Sequence, residues 1–377
     1  MTNPPAPPAK TIARSAYLVL GMHRSGTSAV TQLLALAGAS LPSHVMPGDE
    51  HNAKGYFEPW RIAIFNDQQL QAAGSAWDDP FAWPGGPVSA EAAAEALALF
   101  RSEFGRTRHP LMKDPRVSLL LPLWRGVLEA QSISARCVIP VRHPLAVAGS
   151  LARRDGFPVI KSVLLWTTYM LAAEAGSRDL PRAFVDYDRL LGDWRGEVDR
   201  IEACHGASLP RLTKAAAAQI DEFLTPELRH NSGQGRLEDL GAIGLAAKGV
   251  YDGLCQAAEG GQLDPRPLNA ARALLSDLKL QMGPFVSPVT HALDVARAQL
   301  ADARRGREFE AGRAAELLSE AEALNAALKG TGAELHKLRL ALAASSREIE
   351  ALQDNLAKAQ LNLLEVSHAL DAALAQT

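Results

Sequence analysis

Short aliphatic runs alternate with longer stretches of helical period through the first half of the chain. "AYLVLG" leads into "SGTSAVTQLLALAG", "PLMKD" into "VSLLLPLWRGVLEA", and "ARCVIPVR" into "HPLAVAGSLARRD". A helical pattern from Val159 to Glu174 then precedes a fourth run, "RAFVDY". This alternation, from about Tyr17 to Asp188, predicts an α/β fold: a parallel sheet flanked by helices. A second region, roughly Arg189 to Pro288, reads as mostly helical, broken by "HNSGQG" and "AEGGQLDPRP".

The pattern changes from Leu317 onward, where a seven-residue repeat runs to the end of the chain. One seam position holds Ala321, Leu328, Leu335, Leu342, Ile349, Leu356, Leu363 and Leu370. The other holds Leu317, Leu324, Thr331, Leu338, Ser345, Leu352, Ala359, Val366 and Ala373. Such a repeat predicts a long C-terminal coiled-coil helix, reaching roughly 80 Å at the α-helical rise. A helical hairpin folded back on the head is the alternative. Gly330 and Gly332 weaken the helix near its start and mark a hinge position. Alanine-rich flanks (Ala343, Ala344, Ala357) leave partner and orientation open, so a homo-oligomer or another protein is expected on the seam. The resulting division is a flexible, Pro-rich leader over 1–14, a globular domain over 15–288, and the coiled-coil tail over 289–377.

Composition narrows the function classes. The 377 residues are 47% hydrophobic and 21% charged, enough for a sizeable core. A net charge of −3 argues against a dedicated nucleic-acid binder. Cys137, Cys204 and Cys255 are odd in number and lack metal-ligand spacing, which fits a reducing compartment. No apolar run reaches the ~18 residues of a membrane span, and the start has no signal-like apolar segment. A cytoplasmic protein is expected, with no nucleic acid and no bound metal.

The candidate chemistry begins at "GMHRSGTS", residues 21 to 28. Gly21, Gly26 and Ser28 sit at Walker positions, but Thr27 replaces the lysine that P-loop NTPases place after the second glycine. A glycine-rich strand-to-helix turn aims backbone N–H groups at an anion, and the helix dipole adds to them. Ser25, Thr27 and Ser28 supply hydroxyl donors, and Arg24 brings a forked, permanent charge. Without the Walker lysine, a kinase or other NTPase is disfavoured, the more so because no apolar strand ends in a clear Walker B acid beside the loop. A vestigial nucleotide fold on a coiled-coil scaffold is the non-catalytic alternative.

"RSGTS" resembles the 5′-phosphosulfate loop of sulfotransferases that use 3′-phosphoadenosine 5′-phosphosulfate (PAPS), in its bacterial and tyrosylprotein-type form. A second motif supports the resemblance. In "VIPVRHPLAVAGSLARRDG", Arg142 closes a strand and Ser150 follows eight residues later, as in the family's 3′-phosphate motif. Pro144 suits the first turn of the intervening helix. The resemblance covers roughly residues 15 to 230 and implies that Gly21, Arg24, Ser25, Gly26, Thr27, Ser28, Arg142 and Ser150 bind PAPS, without a metal.

It also implies a catalytic set. "LMKDPR" is similar to the K-D-P segment of the tyrosylprotein-type enzymes, where the lysine, here Lys113, faces the transferring sulfuryl group. A structural pairing of Lys113 with Asp114 is the other reading. Arg24 would stabilise the leaving oxygen, and Glu58, in "GYFEPW", would be the general base, with His44 and His51 as rivals. Arg229 and His230 of "FLTPELRHN" would either close over the nucleotide or, as the favoured reading, form a helix cap with ordinary surface polar residues. The implied reaction is sulfuryl transfer to an acceptor hydroxyl. A saccharide or glycolipid is the expected acceptor, although no residue encodes that choice.

Overall fold

Four strands form one parallel sheet: β1 (Arg14–Val19), β2 (Leu111–Lys113), β3 (Ile133–Val141) and β4 (Arg182–Asp186), in the order β2-β1-β3-β4. The computed structural model describes residues 14–46, 55, 57–82, 88–225, 228, 233 and 235–374. All four strands coincide with the four apolar runs. The expected leader therefore lies outside the described residues except for Arg14, which opens β1.

The strands are buried on both faces along most of their length, as parallel strands between helical layers must be. Ala16, Leu18 and Leu20 face one core with Trp124, Trp166 and Tyr169, whereas Tyr17 and Val19 face another with Val30, Leu33 and Leu190. The first layer contains α2 (Trp60–Ala72), α3 (Ala90–Phe104), α4 (Leu121–Ala130), α5 (Pro144–Asp155), α6 (Val159–Gly176) and α10 (Gly241–Ala258). The second contains α1 (Thr27–Leu36), α7 (Tyr187–Gly192), α8 (Trp194–His205) and α9 (Lys214–Phe223). The pattern reading named α1, α4, α5 and α6 but not α2 or α3. The α2 and α3 helices carry only narrow apolar stripes, with four and three buried apolar positions respectively.

The sheet order locates the site. The chain leaves β1 toward β2 on one side and later returns to β3 on the other, so the order reverses between β1 and β3. Ligands of open parallel sheets bind at such a point, beyond the carboxyl ends of the strands. The glycine loop follows β1 and Arg142 follows β3, directly at that reversal.

The last helix, α11, runs from Pro265 to Leu374 and passes unbroken through Pro284, Pro288, Gly330 and Gly332. No break marks residue 288; instead the chain divides into two compact units at Met1–Ala296 and Arg297–Thr377. Within the second unit the seam leucines are exposed, from Leu335 at 53% to Leu324 at 72%. The tail is one helix and not a hairpin. Among the described residues no single helix is long and apolar enough to cross a membrane.

Candidate anion-binding active site

The loop after β1 is shaped by three residues with positive φ: Gly21 (125°), Arg24 (67°) and Gly26 (93°). Gly26 is the N-cap of α1 and takes a left-handed conformation there. A Cβ on Gly26 would lie 2.2 Å from the Tyr187 ring, so both backbone and packing require glycine. Gly21 is held from below, its N–H donating to Ser118 Oγ at 2.8 Å. The first bond within α1 runs from Val30 N–H to the Gly26 carbonyl, leaving the amides ahead of it without an acceptor inside the helix. The loop thus presents a helix N-terminus at the carboxyl edge of the sheet. Thr27 is buried and Ser28 half-buried beside it.

Two distant motifs meet on Arg24. Its Nε donates to Ser150 Oγ at 2.8 Å, and its carbonyl accepts from Arg142 Nη1 at 2.9 Å. The residues eight apart in sequence are therefore joined to the glycine loop across more than a hundred residues. Ser150 accepts from Arg24 and keeps its own O–H as a donor. The Arg142 guanidinium lies 4.7 Å from the centre of the Tyr187 ring, whose O–H donates to the Leu228 carbonyl. Tyr187 thus contacts both Gly26 and Arg142, although sequence reasoning assigned it no role. Its signal was its place directly after the fourth strand.

Lys113 closes β2, in register with Val19 of β1, at the base of the loop. Its Nζ meets Glu58 Oε1 at 2.7 Å, with the two side chains 2% and 6% exposed. The expected base and the expected sulfuryl-facing lysine are one buried pair. Glu58 is positioned by an isolated bridge between Val45 and Pro59, with Met46 N–H donating to the Glu58 carbonyl. His44, the rival base, is occupied elsewhere: its N–H and ring Nδ1 both bond the Glu103 carboxylate. His51, Arg229 and His230 lie outside the described residues.

Asp114 pairs with Arg116 at 2.8 Å rather than with Lys113, and also accepts from Asn66 Nδ2 at 2.7 Å. An acid, Asp114, follows β2, and another, Asp186, ends β4. Both are engaged, for Asp186 accepts from Arg189 N–H at the start of α7. Arg116 also holds Asp67, whose carboxyl is pushed up to about 6, chiefly by burial, with Arg116 opposing and Asp114 adding to the rise.

Two buried groups sit in the loop: His23, which the sequence assigned no role, and Ser25, one of the expected hydroxyl donors. His23 packs edge-on to Trp77 at 4.8 Å between ring centres, and its Nε2 has no partner among the described residues. Burial, then the charges of Arg116, Arg154, Lys113 and Arg24, hold its pKa well below the ordinary histidine value. Ser25, fully buried, has an Oγ with no partner among the described residues. Leaving such a hydroxyl unsatisfied costs about 1–3 kcal/mol, a cost that an anionic ligand oxygen would remove. Among the described residues no cluster of three His, Cys, Asp or Glu is placed to hold a metal.

The fold and the loop define a class: a parallel α/β protein of P-loop type, with a cationic site at the topological reversal. No family model matches the chain, and no curated protein does. Among solved structures it is similar to the sulfotransferase domain from the Synechococcus PCC 7002 olefin synthase, at 17% identity and a TM-score of 0.37, covering 71% of this chain and 96% of that one. It is also similar to retinol dehydratase in complex with androsterone and inactive cofactor PAP, at 18% identity and a TM-score of 0.29, covering 70% and 80%.

Proposed function

We propose that this chain is an enzyme that transfers a sulfuryl group from PAPS to an acceptor hydroxyl. The observation that carries the reading is the meeting of Arg24, Arg142 and Ser150 on a phosphate-type loop that lacks the Walker lysine. The unsatisfied Ser25 hydroxyl beside them fits an anionic oxygen. In this reading the loop amides, Ser25, Thr27 and Ser28 hold the 5′-phosphosulfate, and Arg142 with Ser150 holds the 3′-phosphate. Gly21 and Gly26 shape the turn.

Transfer forms a bond from the acceptor oxygen to sulfur as the bridging sulfur–oxygen bond to phosphate breaks. Negative charge builds on the departing phosphate oxygen, where Arg24 stabilises it, and adenosine 3′,5′-bisphosphate leaves. The acceptor proton passes to Glu58. Lys113 serves both ends: it pairs with Glu58 and, on moving to the sulfuryl oxygens, releases that carboxylate to act as a base. His23, held neutral, adds no further charge to a site already rich in cations. A saccharide or glycolipid hydroxyl is the acceptor class we favour, in a cytoplasmic setting.

Thermal shift tests the reading. Adenosine 3′,5′-bisphosphate is expected to stabilise the chain strongly and ATP–Mg²⁺ weakly; the reverse order identifies an NTPase, and no shift with either identifies a non-catalytic head. Screening acceptors with labelled PAPS then identifies the substrate.

A further inference from the structure

The described residues of the tail helix leave its apolar seam exposed, and the residues beside that seam specify what covers it. Within the second unit, the six positions Leu328, Leu335, Leu342, Ile349, Leu356 and Leu363 are each between 53% and 71% exposed. A single helix cannot bury such a stripe, which is the condition for pairing with another helix. These residues occupy heptad position a, and Leu324, Thr331, Leu338, Ser345 and Leu352 occupy position d.

We propose that the seam pairs with a second copy of itself, as a parallel, in-register, two-stranded coiled coil. The flanking positions carry the orientation. In a parallel pair, each g residue faces the e residue five positions on in the partner helix. That arrangement sets Glu334 against Arg339, Glu320 against Asn325 and Glu348 against Gln353. The smaller g residues meet small e residues, Ala327 with Gly332 and Ala341 with Ser346. Every glutamate at a g position thus faces a hydrogen-bond donor.

An antiparallel pair sets g against g and e against e. From residue 317 to 367 the only charged g residues are glutamates and the only charged e residue is Arg339. No antiparallel alignment of two copies therefore gives an attractive charge pair along the flanks. The seam also fixes the register. Thr331 donates its hydroxyl to the Leu328 carbonyl of its own helix, so it enters a core layer already satisfied. In register, Thr331 and Ser345 each meet their own kind; a slip of one heptad sets Thr331 against Leu338 and Ser345 against Leu352. Such small d residues also leave too little volume to fill the wider core of a three- or four-stranded bundle.

The test uses the full chain. Light scattering is expected to give twice the chain mass, and a monomer, a trimer or assembly only with another protein overturns the proposal. Leu342→Cys is expected to cross-link to its own copy under mild oxidation, with the unsubstituted chain as the control for the native cysteines. Glu334→Lys should weaken the dimer about tenfold, since two symmetric pairs turn from attraction to repulsion. Adding Arg339→Glu should restore it. Circular dichroism checks that the tail stays helical, and adenosine 3′,5′-bisphosphate binding checks the head. If the charge reversal has no effect in a helical dimer, or the Leu342→Cys variant stays uncross-linked, the parallel register is wrong.

Discussion

Arg24 Nε donates to Ser150 Oγ at 2.8 Å, which ties the loop after β1 to the middle of α5. The Arg24 carbonyl meanwhile takes a hydrogen bond from Arg142, at the end of β3. One loop residue thus couples the two proposed phosphate sites, through its side chain and its backbone respectively. Substituting Arg24 removes only the first connection, which lets the two be separated.

Arg142→Ala should weaken adenosine 3′,5′-bisphosphate binding by about 1.5–3 kcal/mol, the scale of a hydrogen bond to a charged group. Adenosine 5′-phosphosulfate, which lacks the 3′-phosphate, should lose much less. Calorimetry with both nucleotides decides it; equal losses remove the 3′-phosphate assignment.

Arg24→Ala should lower turnover far more than nucleotide affinity, because its charge is needed as the leaving oxygen develops charge. Since Arg24 and Ser150 touch, their effects should not add, and a double-mutant cycle should give a coupling of about 0.5–3 kcal/mol. Affinity falling in step with turnover would make Arg24 a binding residue.

The Lys113–Glu58 pair allows structure and chemistry to be told apart. Removing either charge alone should destabilise the fold by about 3–5 kcal/mol, because a buried partner is left uncompensated. Lys113→Met together with Glu58→Leu should recover much of that stability in chemical denaturation. The same double variant should have no measurable transfer activity. Residual turnover near the parent value would exclude both residues from the chemistry.

Gly26→Ala meets two penalties, a left-handed backbone worth roughly 1–2 kcal/mol and a collision with Tyr187 worth about 1–3 kcal/mol. Loss of adenosine 3′,5′-bisphosphate binding at a lowered melting temperature is expected. Adding Tyr187→Ala should relieve only the second penalty.

Acid should destabilise the protein through His23. The folded chain holds it neutral, whereas the unfolded chain protonates it below about pH 6.5, so the unfolded state binds more protons there. Stability therefore falls as pH drops through that value, and His23→Gln should make the fall shallower. Asp67 acts in the opposite sense, since its raised value of about 6 makes the folded state take up a proton first as pH falls. Asp67→Asn should therefore steepen the loss. Melting temperatures between pH 7.5 and 5 test both signs.

The local patterns of this sequence determined its elements: four apolar runs became the four strands, the glycine loop became a strand-to-helix turn, and the heptad became a single helix. Such features rest on neighbours within a few residues, so periodicity and turn chemistry suffice to read them. The motif around Arg142 and Ser150 was legible for the same reason, its spacing being set by one strand end and one helix. What lay across the chain was not. That Lys113 is neutralised by Glu58, that His44 belongs to Glu103, and that Tyr187 closes against Gly26 depend on which strands and helices become neighbours. Burial decided the rest: the same histidine in the same loop would titrate normally on a surface. Enclosure among aromatic rings and four cations is what holds His23 neutral, and that enclosure exists only once the sheet is assembled.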